Sequence, residues 1–100
     1  MSISTEYIEE MLHALRISNT EASSSEVEDL ISAAVADLGR QGVKSIDLDD
    51  PLTKQAIKLY CKAHYGYDKD MERFEAAYVS LSAAMSLCGD YDSDGSDGNA

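Results

Sequence analysis

The sequence has a single proline, no tryptophan and six glycines in 100 residues. So few breakers argue against a turn-rich β-sandwich and favour long helices. Basic residues are also scarce. Eight Lys and Arg stand against 19 Asp and Glu, for a formal net charge of −11. A phosphate backbone is gripped through clusters of Lys and Arg, so nucleic acid is not expected as a directly bound partner, nor is an anionic membrane surface. No apolar run approaches the length that spans a bilayer. No basic segment followed by an apolar one opens the chain, so it is expected to be cytosolic when made. The two cysteines, Cys61 and Cys88, are too few for a disulfide framework and read as small buried hydrophobes in a reducing compartment.

What the chain does have is apolar residues at helical spacing. Hydrophobic residues make up 44% of it, enough for one modest core. A first helix is expected over residues 4–17, capped by Ser4, with Ile8, Met11, Leu12 and Leu15 as its buried stripe. The polar "SNTEASS" at 18–24 reads as a loop. A second helix is expected after Ser25, because Ser25 and Glu28 have capping-box spacing. Val27, Leu30, Ile31, Ala34, Val35 and Leu38 form its apolar face, and Gly39 or Gly42 can end it in a left-handed conformation. Val43, Ile46 and Leu48 suggest a short extended connector. Asp49-Asp50-Pro51 is a strong start signal for a third helix running to Gly66, the one expected to be most central. Asp68 or Asp70 then caps a fourth, with Met71, Phe74, Tyr78, Leu81, Met85 and Cys88 as its stripe. Ala76, Ala77, Ala83 and Ala84 are small enough to permit close helix approach. Gly89 ends it. The fold class is therefore all-α: a bundle of about four helices over residues 1–89, followed by a flexible acidic tail over 90–100.

That tail raises a question of chemistry. Asp90, Asp92, Asp94 and Gly95 match positions 1, 3, 5 and 6 of an EF-hand calcium loop. The bidentate acid at position 12 would fall just past Ala100, so a solvated extension is the preferred reading. Cys61 and His64, one helical turn apart in "CKAH", offer half a zinc site with no second ligand pair beside them. No cofactor or metal is expected. Nucleophile elbows, phosphate loops and dinucleotide fingerprints are all missing, so no enzyme activity is expected either. Tyr60, Tyr65, Tyr67 and Tyr78 crowd the corner between the last two helices. Either they fill that corner, with their hydroxyls in water, or some of them lie at a subunit interface.

Three stretches in order resemble the head–tail connector (adaptor, or head-completion) proteins of long-tailed bacteriophages. They are "ISTEYIEEMLHALRIS", "SSEVEDLISAAVADLG" and "DDPLTKQAIKLYCKAHYGYDKDMERFEAAYVSLSAAMSL", covering about residues 3–88. In the last, Asp50-Pro51 opens a helix, Tyr65-Gly66-Tyr67 turns the chain, and Glu72-Arg73-Phe74 leads into the final helix. The resemblance implies a small helical, non-enzymatic protein of the virion, assembled in the host cytoplasm. Its copies would form a ring, usually twelvefold, beneath the portal, extending the DNA channel and docking the next completion or tail protein. DNA would pass through without specific binding. Tyr65, Tyr67, Asp90, Tyr91, Asp92 and Asp94 are the interface candidates, and the loops at 18–25 and 40–50 are expected to share the contacts. The acidic Asp/Gly/Ser end departs from the family's usual pattern. The competing reading is a small acidic cytosolic regulator that binds one basic protein as a monomer. A calcium- or zinc-dependent module is a third.

Overall fold

The computed structural model describes residues 3–18, 20–65 and 70–88. These residues form four α-helices, with no strand among them: α1 (Thr5–Leu15), α2 (Glu21–Arg40), α3 (Pro51–His64) and α4 (Met71–Ser86). The all-α expectation holds. α3 packs against each of the other three helices, and α4 packs chiefly on α3. The core is the meeting of the four stripes. Tyr7, Met11 and Leu12 come from α1, Val27, Ile31, Ala34 and Leu38 from α2, Ala56, Ile57 and Cys61 from α3, and Tyr78 and Met85 from α4.

α1 starts where its cap predicts, with the Tyr7 amide donating to Ser4 Oγ at 3.1 Å. It stops two residues earlier than the apolar pattern suggests. Arg16 adopts a left-handed conformation (φ 60°, ψ 44°), and its N–H turns back to the carbonyls of His13 and Leu12. Ile17, expected inside the helix, instead folds back against the core, and its amide donates to Leu12 O at 3.0 Å.

The start of α2 is a clear correction. Residues 21–25, read as a loop and then a cap, are helical. The capping box is Thr20–Ser23, not Ser25–Glu28. Ser23 N–H donates to Thr20 Oγ1 at 3.1 Å, and Thr20 N–H donates to Ser23 Oγ at 3.0 Å. A serine at the third helical position thus does the reciprocal work that the usual motif gives to Glu or Gln. Ser23 is also buried, and its hydroxyl reaches the Ser18 carbonyl at 2.7 Å, so packing against the preceding turn selects this start over the one further on.

Gly42 ends α2 with φ 103°, and the Val43 amide returns to Leu38 O at 3.0 Å. The connector to α3 is irregular rather than extended, with Val43 buried and Ile46 and Leu48 packed on the core edge. α3 begins at the expected signal. Asp50 Oδ2 accepts from the amides of Leu52 (3.1 Å) and Thr53 (3.0 Å), and Pro51 holds the first helical position. Asp70 occupies the cap position of α4 but makes no side-chain capping bond to the backbone; its carboxylate lies 3.5 Å from Arg73.

Candidate interaction surface

α4 is tied to the bundle by polar and aromatic contacts on its inner side. Tyr78 donates a hydrogen bond of 2.5 Å to Asp37 Oδ2 on α2, and Asp37 also pairs with Arg40 one turn on. Burial works to raise the Asp37 carboxyl, but the bonds from Tyr78 and Arg40 outweigh it and hold the group below its ordinary range. Burial, and then the bond to Asp37, pushes the Tyr78 hydroxyl well above that of a free tyrosine. The Tyr60 ring stands edge-on to Tyr78, with centroids 5.2 Å apart, and lies 4.2 Å from His64. Phe74 sits between two cations, Lys62 at 5.4 Å and Arg73 at 5.6 Å from its ring centre.

The tyrosine corner is thus filled from within by Tyr60 and Tyr78. Tyr65 caps α3, its N–H donating to Cys61 O, and its half-buried ring packs on the core edge. The other interface candidates, Tyr67, Asp90, Tyr91, Asp92 and Asp94, lie outside the described residues, as do Gly66, Asp68 and Gly89. Cys61 and His64, though one turn apart, do not face one site. Cys61 is fully buried, with its thiol pushed up to about 12 by burial, whereas His64 is exposed beside Glu75 at 3.7 Å. Among the described residues no three His, Cys, Asp or Glu side chains gather as a metal site would require. No described helix is long and apolar enough to cross a membrane.

The exposed surface divides by charge. Glu6 and Glu9 on α1 and Glu21, Glu26, Glu28 and Asp29 on α2 are all exposed, so the outer sides of these two helices are acidic. α3 carries no acid. Its Lys54 and Lys58, four residues apart, reach across to Glu10 on α1 at 3.3 and 3.6 Å. The hydrogen bond from Lys54 holds the Glu10 carboxyl below its ordinary value. α4 has Glu72, Arg73 and Glu75 near its start, and then no charged residue from Ala76 to Cys88.

Here lies a second correction. Ala76, Ala77, Ala83 and Ala84, expected to permit close helix approach, are all exposed. Tyr78 and Met85 of the expected stripe, joined by Ser82, supply the buried side of α4. Ser82 is fully buried because its hydroxyl donates to the Val79 carbonyl of its own helix at 3.1 Å, a local bond that an apolar-stripe reading does not register. Met71, assigned to a buried stripe, is 43% exposed, and Leu52 is 47% exposed, each at the first turn of its helix. Thr53 takes the inward place in α3 because its hydroxyl is satisfied by Asp50 at 3.3 Å.

No curated protein and no solved structure matches the chain. One family model does, described as phage connector protein, and it matches residues 8–92, which take in all of α2, α3 and α4 and most of α1. The chain belongs to the phage connector family, a structural kind of bacteriophage protein that joins head and tail components.

Proposed function

We propose that copies of this chain assemble into a ring, twelvefold in the virion, beneath the portal at the DNA-exit vertex. The ring extends the DNA channel and presents a surface to the next head-completion or tail protein. The observation that carries this reading is the family match over residues 8–92. The charge distribution supports it. A wall made largely of acids does not bind a phosphate backbone, and a conduit must let DNA slide. The work done is assembly, not catalysis. The protein resides at the head–tail interface of the virion and in the host cytoplasm during assembly.

Within this reading, residues 1–89 are the folding unit and 90–100 an acidic extension that docks on the portal, with Asp90, Tyr91, Asp92 and Asp94 making contacts there and Tyr65 and Tyr67 meeting neighbouring subunits. The test is to mix the full chain with the portal protein of the same phage and image the product by negative-stain electron microscopy. A ring of added density on the portal is expected. A portal that stays bare, with the chain monomeric and bound one to one to some other basic protein, would overturn the ring. Removing Asp90–Ala100 should leave the thermal unfolding of the remainder intact while weakening portal binding. Unchanged portal binding would remove the docking role of the tail.

A further inference from the structure

The outer face of α4 is anomalous for this chain. Charged residues make up 27% of the sequence, yet Ala76–Cys88 holds none. Ala76, Val79, Ser80, Ala83 and Leu87 follow helical spacing along one exposed side, opposite the buried Tyr78, Ser82 and Met85. Val79 is 47% exposed and Leu87 is 88% exposed. α4 therefore has apolar residues on both sides, and the bundle covers only one of them. An ordinary solvated helix face carries charge, as the acids of α1 and α2 and the lysines of α3 do here.

We infer that this uncharged face of α4 is a contact surface for a second copy of the same chain. The inference builds on the ring reading, since it names a surface through which neighbouring copies meet. Charge chooses the occupant. Each copy carries −11, and the exposed sides of α1 and α2 are acidic, so contacts that join those faces set like charges together. From Ala76 onward the outer side of α4 has no charge to repel a neighbour. A basic partner would be drawn to the acidic helices instead and would gain nothing electrostatically on α4. The small side chains also let another helix approach closely.

The size of the face sets the strength of the contact. From Ala76 to Leu87 the helix rises roughly 16 Å and is about 10 Å across. Such a strip is well below the ~800 Å² per partner typical of a stable complex. Contact through α4 alone is therefore weak and reversible in free solution, and becomes persistent where further surfaces, such as a portal, hold copies side by side.

Sedimentation analysis of the full chain over a wide concentration range, at low and at high salt, tests this. Reversible self-association that strengthens with salt is expected, because salt screens the repulsion between copies while leaving an apolar contact in place. Placing an acid on the face, Ala83→Glu, should weaken association by at least about tenfold, since a buried, unpaired charge is costly. The matched change Ala36→Glu, on the exposed side of α2, should alter it by less than about twofold. Thermal melts of both variants should stay close to that of the parent, since both positions are exposed on helices. Three results would overturn the inference: no association at high salt, association weakened by salt, or equal effects of the two variants. Portal complexes made with Ala83→Glu separate this claim from the ring itself. A normal ring would end the role of α4 and leave the ring standing, whereas loss of the ring from this variant alone is the result expected. A portal left bare by the unaltered chain would end the ring reading.

Discussion

Tyr78 on α4 and Asp37 on α2, 41 residues apart in sequence, share a 2.5 Å hydrogen bond that locks the last helix onto the second. Tyr7, as deeply buried, has a hydroxyl with no hydrogen-bond partner among the described residues. The same substitution should therefore act in opposite directions. Tyr78→Phe removes a bond to a carboxylate and should destabilise by about 1.5–3 kcal/mol. Tyr7→Phe removes a polar group left unsatisfied and should stabilise by about 1 kcal/mol. Urea unfolding of both variants measures the difference, and two changes of like sign would contradict the assignment.

The same groups set the pH response. Asp37 and Glu10 are held below their ordinary carboxylate values in the fold. Their contribution is complete above the ordinary carboxylate range and is lost as pH falls through the folded values. Tyr7 and Tyr78 are raised above the ordinary 10.0. The buried Cys61 thiol is raised from 9.0 likewise, and the unfolded chain ionises all three groups first, so stability is full below about pH 9 and declines as pH climbs beyond it. Stability should thus form a plateau with an acid and an alkaline limb. Tyr78→Phe should flatten the alkaline limb, which urea titrations between pH 8 and 11 would register.

The true start of α2 gives a discriminating pair. Thr20→Ala breaks the reciprocal bonds with Ser23 and should lower stability by about 1 kcal/mol. Ser25→Ala, at an exposed position inside the helix, should be neutral or slightly stabilising because alanine is the better helix former. Thermal denaturation of the two variants side by side decides between the two start sites.

Two left-handed positions invite opposite substitutions. Arg16, at φ 60°, has a side chain where glycine is preferred, so Arg16→Gly should raise stability by about 1 kcal/mol. Gly42, at φ 103°, has the residue its turn requires, and an added Cβ there would sit 3.4 Å from Ser86 Cβ. Gly42→Ala should cost about 1–2 kcal/mol, and chemical denaturation reads both changes.

Core truncations should be among the most costly changes. Ile31 and Ile57 are fully buried at the centre of the four stripes, and alanine at either should cost about 2–5 kcal/mol. Leu87→Ala, at an exposed residue, should change monomer stability by less than about 0.5 kcal/mol. A large effect of Leu87→Ala in dilute solution would mean that it packs within the monomer.

The sequence by itself determined four helices and most of their inward faces, because apolar periodicity reports a one-dimensional property that each helix carries alone. Ser4 and Asp50-Pro51 were legible as starts for the same local reason: their bonds span three residues or fewer. The resemblance to phage connectors was legible in the order of three stretches, and the family match covers them from residue 8 onward. Tertiary structure decided what depends on partners distant in the chain. Ser82 and Thr53 are buried because a local acceptor satisfies each hydroxyl while a neighbouring helix covers it, whereas Leu52 and Met71 end up exposed at helix starts. α2 begins at Thr20 because Ser23 finds both a reciprocal cap and the Ser18 carbonyl. On α4 the stripe through Tyr78 and Met85 was legible, but both sides of this alanine-rich helix are apolar, so tertiary contacts settle its rotation. The bond from Tyr78 to Asp37 and the packing of Met85 fix that rotation, and they leave Ala76, Val79, Ala83 and Leu87 turned outward.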